Sequence, residues 1–196
     1  MGAQLKIPAR CKILTRRLKR RGDSGSAALE FAFVAPVFFT LLLGIIQAGI
    51  VFFAQETLQN AVFDSGRQIR TGQSQSVNLS QTQFRTQICA EVSALLDCTA
   101  STNGVSLLQF DVQAYPSGFT GNMNSSPLVN NDLPPLNTFN TGTACDVVLV
   151  RVYYKWPIQA PMLDWFLVNM ANNSHLLAAA TAFRNEPFTN QNGGCS

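Results

Sequence analysis

The chain has 196 residues, 46% hydrophobic and 13% charged, with a net charge of +3; this suffices for one modest domain with appendages. The small net charge conceals a split. Residues 1–25 carry eight Lys/Arg against Asp23, a balance of +7, whereas residues 26–196 carry six basic residues against ten acidic, a balance of −4. With His175 as the single histidine, no C-x-x-C pair and no Gly-rich phosphate loop, the composition argues against zinc sites, catalytic triads and phosphate-loop enzymes.

Residues 1–25 form a basic leader. Alone, such an arm could bind nucleic acid. Beside an apolar run it keeps the N-terminus on the cytoplasmic side of a membrane, so no nucleic-acid partner is expected. That run is Phe31–Gln55, 25 residues without a formal charge. As a helix at ~1.5 Å per residue it would span about 37 Å, more than the ~30 Å hydrocarbon core. A secretory signal would have an apolar region of only about 7–15 residues followed by an A-x-A-like site. Here the run is longer and no such site follows. The expectation is a retained transmembrane part over 31–55, in contact with membrane lipid, and export of everything after about residue 56.

The helix starts near Ser26 and need not stop at the membrane surface. Leu58, Ala61, Val62 and Ile69 continue at helical spacing, and Arg67, Arg70 and Gly72 supply stop signals. The whole helix, 26–71, would run about 45 residues or roughly 68 Å. Pro36 removes one backbone donor, so a kink or local loosening is expected there. Thr40, Gly44 and Ala48 repeat every fourth position as a candidate packing face, although Gly and Ala are also simply common in membrane helices.

Residues 72–196 read as an exported domain. Phe84, Ile88, Val92 and Leu95 share one helical face. Leu108, Phe110, Val112 and Ala114 alternate with polar residues as in a half-buried strand. "CDVVLVRVYYKWP" and "HLLAAATAFRNEPF" supply two more strands, with a short helix, "PMLDWFLVNM" (161–170), between them. Residues 115–143 hold four prolines and one charge, Asp132, and are expected to be an irregular loop. In "RNEPF" an Arg/Glu pair would close the last strand. The fold class is therefore α+β: a long N-terminal membrane-spanning helix extending into a small domain with a second helix and an antiparallel sheet of about three strands.

Cys11 lies in the leader, while Cys89, Cys98, Cys145 and Cys195 fall on the exported side. Four cysteines in an oxidising compartment indicate two disulfides with three possible connectivities. Proximity in sequence favours Cys89–Cys98, leaving Cys145–Cys195. The first pair needs a bend after the second helix to bring its Cα atoms within ~4.4–6.8 Å.

The sharpest stretch is "GSAALEF", Gly25 to Phe31. A glycine there lets a peptidase approach the backbone closely. Cutting between Gly25 and Ser26 would remove the leader and expose an amine on Ser26, one helical turn from Glu30. A carboxylate entering a lipid-like environment is costly unless paired. The plainer reading of Glu30 is an acidic residue favoured by the helix dipole.

This stretch resembles the processing site of type IV prepilins. With "LQNAVFDSGRQIRTG", "VVLVRVYYKWP" and "ATAFRNEPF", the chain resembles the TadE family, pseudopilin-like proteins of the tight-adherence (Tad/Flp) pilus system, more than its sister TadF. The D-x-S-x-S motif of the TadG branch is absent. The resemblance implies prepilin-peptidase processing at Gly25, Ser26, Glu30 and Phe31, with no catalytic residue, metal or cofactor. It implies a structural role in initiating, capping or stabilising an adhesive pilus. Its partners would be the prepilin peptidase, the major Flp-type pilin, other pseudopilins and an inner-membrane assembly platform. The implied location is the bacterial inner membrane, single-pass, N-terminus cytoplasmic and C-terminal domain periplasmic, with or without incorporation into an extracellular pilus. The alternative is an uncleaved bitopic membrane protein presenting a periplasmic binding domain.

Overall fold

The computed structural model describes residues 23–116, 118, 126–136, 138–158, 167–188 and 195. Residues 1–22, with Cys11, and residues 161–166 of the expected short helix lie outside the described residues. The chain divides into two compact units, residues 1–46 and 47–196.

The first unit is described from the start of helix α1 (Asp23–Arg70) to Ile46. α1 begins three residues before Ser26 and is helical without interruption through Pro36. Thr40 Oγ1 donates to the Pro36 carbonyl at 2.7 Å, a back-bond that keeps Thr40's hydroxyl satisfied on an apolar helix. Phe31, Phe33, Val37, Leu41 and Ile45 stand exposed.

The second unit is α+β, as the alternating and helical patterns imply. It takes in the C-terminal part of α1, a single turn α2 (Gln73–Ser76) and α3 (Gln81–Val92). A hairpin, β1 (Ser101–Thr102) and β2 (Val105–Ser106), precedes the strands β3 (Leu108–Tyr115), β4 (Val147–Pro157) and β5 (Ser174–Arg184). The main sheet is antiparallel in the order β3-β4-β5, with Leu108 opposite Tyr154 and Tyr154 opposite Leu177. α3 starts in a capping box, where Gln83 N donates to Ser80 Oγ and Ser80 N to Gln83 Oε1.

The core lies between helices and sheet. Ala54, Leu58, Ala61, Val62 and Ile69 form one buried stripe of α1, joined by Phe84, Ile88 and Val92 of α3. Phe110, Val112, Val150, Val152, Leu177 and Ala179 meet them from one face of the sheet. The opposite face is smaller and mixed. Tyr153 packs with Leu133 and Met170, Lys155 pairs with Asp132 at 2.5 Å and Arg151 pairs with Asp111. The hydrogen bond from Lys155 holds the Asp132 carboxyl below its ordinary range.

Both sheet edges are covered, which removes the usual template for edge-to-edge association. On β3, Val112 is bonded on both sides by Thr138 O and Asn140 N. On β5 the cover is α1 itself: Gln55 Nε2 donates to Ala178 O at 2.6 Å, Ala178 N donates back to Gln55 Oε1, and Gln59 Nε2 donates to Ala180 O. Gly66 makes the close approach possible. A Cβ there would stand 2.8 Å from Thr181 Cγ2 and 3.0 Å from Phe183 Cε1.

The "RNEPF" stretch closes a helix end rather than pairing within itself. Glu186 N donates to Arg70 O, and the Glu186 carboxylate pairs with Arg70 at 3.3 Å. Arg184 Nε donates to Cys145 O. Phe188 then covers Gly72, whose φ of +78° is left-handed and where a Cβ would fall 2.3 Å from Phe188 Cγ. Gly72→Ala is expected to destabilise the chain by about 1–2 kcal/mol from backbone handedness, with displacement of Phe188 in addition. Chemical denaturation in mild detergent checks this; an unchanged midpoint would contradict the close packing of the tail on α1.

Candidate processing and assembly site

Gly25, Ser26, Glu30 and Phe31 occupy the first turns of α1. Helical glycine is about 1 kcal/mol less favourable than alanine, so a glycine in a helix needs a reason. Packing among the described residues does not supply one, because a Cβ at Gly25 would meet nothing within 4 Å there. Ser26 and Glu30, four residues apart, share a helix face, and Ser26 Oγ donates to Glu30 Oε1 at 3.1 Å. Both are exposed, as is Phe31. No Lys or Arg occurs between Asp23 and Arg67, so α1 offers Glu30 no cationic neighbour of its own along that length.

The candidate packing face divides between environments. Thr40 is half-buried, its hydroxyl committed to Pro36 O, and Gly44 is buried. Ala48 is half-buried and belongs to the second unit. α1 holds a segment long and apolar enough to cross a membrane, with mean hydropathy 2.4.

The single histidine is engaged structurally. His175 lies 2.6 Å through Nδ1 from Leu167 O; since a carbonyl only accepts, Nδ1 carries the proton. Among the described residues no three of His, Cys, Asp and Glu converge as metal ligands. The cavity beside Lys155 and Asp132 measures about 50 Å3, room for a few waters.

The cysteines of the second unit are joined as Cys89–Cys98, with Cα atoms 5.9 Å apart, and Cys145–Cys195, 5.2 Å apart. α3 ends at Val92, and the turn through Leu95 and Leu96, both bonded back to Val92 O, returns Cys98 to Cys89. Asp97 Oδ1 holds that return by accepting from Thr99 N, Thr99 Oγ1 and Ala100 N.

Sequence reasoning passed over two features here. The β1–β2 hairpin turns on Asn103 and Gly104, both at positive φ, and Asn-Gly between short apolar stretches is its recognised signal. Gln55 reads as the end of the apolar run and Gln59 as the polar side of the helix beyond it, and nothing local marks either amide as a partner of β5.

The family model described as "TadE-like protein" matches residues 25–67. The match opens at Gly25 and ends three residues before the end of α1. No curated protein and no solved structure matches the chain.

Proposed function

We propose, from this TadE-like α1, that the protein is a structural pseudopilin that helps initiate, cap or stabilise a Tad/Flp-type adhesive pilus. The observation that carries the reading is a coincidence. The matched residues 25–67 are also a helix whose apolar side chains stand exposed along the run from Leu29. Such side chains need a non-aqueous surrounding, first lipid and then, on assembly, the helices of neighbouring pilins. The fourfold spacing of Thr40, Gly44 and Ala48 suits the second surrounding, because small residues let helices approach.

On this reading α1 crosses the inner membrane once. The basic leader holds the N-terminus in the cytoplasm, and the second unit lies in the periplasm, where disulfides persist. A prepilin peptidase removes the leader between Gly25 and Ser26. The major Flp-type pilin, other pseudopilins and the inner-membrane platform are the partners, and Glu30 takes its counter-charge from a neighbouring subunit.

Deleting the chain from its native host, counting surface pili and recovering a tagged copy tests the role. Pili should become scarce, return on complementation, and the tagged chain should co-purify with the platform or the major pilin. Unchanged piliation without the chain, together with no co-purification, would overturn the proposal.

A further inference from the structure

Residues 47–54 of α1 belong to two environments. They lie in the charge-free run Phe31–Gln55, yet Val51 and Ala54 are buried in the core of the second unit. Their cluster includes Ile158, with Trp156, Leu167 and Val168 at its margin. Phe31–Ile46 is only 16 residues, about 24 Å of helix, short of the ~30 Å hydrocarbon core. Filling the core takes roughly four more residues, to Ile50. On the single-pass reading above, on which this inference rests, the outer boundary of the hydrocarbon falls among residues that the globular unit also touches.

The contacts say which end of the unit that is. Gln55 bonds Ala178, Gln59 bonds Ala180, Gly66 meets Thr181 and Phe183, and Arg70 meets Glu186. α1 and β5 therefore advance together, and residues before Gln55 lie towards the start of β5 and the end of β4. The chain that starts at this end is poor in charge: from Trp156 through β5 to Phe183 it has 28 residues with one formal charge, Asp164, and two tryptophans, Trp156 and Trp165. The neighbouring Lys155 is paired with Asp132, and Arg70, Arg184 and Glu186 gather at the other end of β5.

Several polar groups at this end are bonded within the protein. Asn169 Oδ1 accepts from Leu176 N, Asn173 Nδ2 donates to Ile158 O, and His175 donates to Leu167 O. A surface facing lipid needs that, because lipid offers few partners. Phe52 and Phe53, at the same level of α1, are exposed.

We propose that this end of the second unit, where Trp156, Pro157, Leu167 and Val168 are half-buried or exposed, is a lipid-contacting surface. It seats the unit on the periplasmic interface of the bilayer that its own helix crosses. Tryptophan suits that zone because its ring is apolar and its N–H reaches the headgroups.

The full chain is reconstituted in phosphatidylethanolamine/phosphatidylglycerol vesicles containing a brominated phosphatidylcholine, and its tryptophan emission is followed. Trp165→Phe leaves Trp156 as sole reporter. Bromolipid should roughly halve the Trp156 emission, while acrylamide added from water has little effect. Strong acrylamide quenching without bromolipid quenching would place the residue in water and overturn the proposal. Silence to both quenchers would mean cover by protein and overturn it too. A Phe38→Trp reporter, in a chain with both native tryptophans changed to Phe, separates the readings. Quenched Phe38→Trp with unquenched Trp156 sinks this inference alone, whereas unquenched Phe38→Trp sinks the membrane reading with it.

Discussion

Glu30→Ala is expected to leave a processed, inserted and correctly oriented protein that no longer associates with its pilus partners. Insertion is set by the 25 charge-free residues and the basic leader, neither of which the substitution touches. The Glu30 carboxylate meets only a hydroxyl, from Ser26, among the described side-chain hydrogen bonds and ion pairs of the first unit. On the proposed function its counter-charge is the Ser26 amine of a neighbour. Removing the carboxylate leaves that amine unpaired at the edge of an apolar helix bundle. An unpaired charge at the centre of a membrane helix is disfavoured by about 2.5–3.5 kcal/mol. That sets an upper figure of about 300- to 400-fold on the loss of association. Crosslinking to the major pilin and platform, with pilus counts, measures it. Glu30→Gln keeps the shape and should fail similarly. Wild-type association in Glu30→Ala would reduce the residue to a helix-end charge.

Loss of the Cys145–Cys195 disulfide is expected to be the most destabilising change in the second unit. The two cysteines are 50 residues apart, and closing so long a loop stabilises by about 4 kcal/mol on the chain-entropy account. Cys89 and Cys98 are 9 apart, which gives about 3 kcal/mol on the same account. Against the usual ~5–15 kcal/mol for a whole domain, the longer link is a large fraction. It also secures the tail beyond β5, where Asn185 N bonds Asp146 O and Glu186 bonds the end of α1. The double change Cys145→Ser/Cys195→Ser should lower the denaturation midpoint in detergent more than Cys89→Ser/Cys98→Ser does. The reverse order would refute the loop-length argument.

The elements that were legible in the sequence are those whose pattern is local. Leu108, Phe110 and Val112 alternating with Gln109, Asp111 and Gln113 announce a strand, and the two kinds of residue do take opposite faces, core and ion-paired. The long helix follows from one uninterrupted apolar run continued at helical spacing. What local pattern cannot convey is partnership across the chain. Lys155 reads as the polar side of β4, yet it is buried against Asp132 of a segment that reads as structureless loop. Glu186 reads as Arg184's partner and belongs to Arg70, 116 positions earlier. The helix start at Asp23 rather than Ser26 was equally hidden, since Asp-Ser-Gly-Ser reads as a cap or turn. Gly25 and Glu30 stand out as residue types because each is out of place, a glycine in a helix and a charge at the mouth of an apolar run. Only the coordinates add that Gly25 faces open space among the described residues and that Ser26 and Glu30 already touch.

The most direct test is the N-terminus of the chain recovered from membranes after co-expression with a prepilin peptidase that demonstrably cuts its own pilin. Intact mass should correspond to a chain beginning at Ser26. Gly25→Val should retain the leader, because a Cβ there meets nothing within 4 Å among the described residues, while added bulk obstructs the close backbone approach of the peptidase. A wild-type chain that still carries its leader beside an active peptidase would contradict the account.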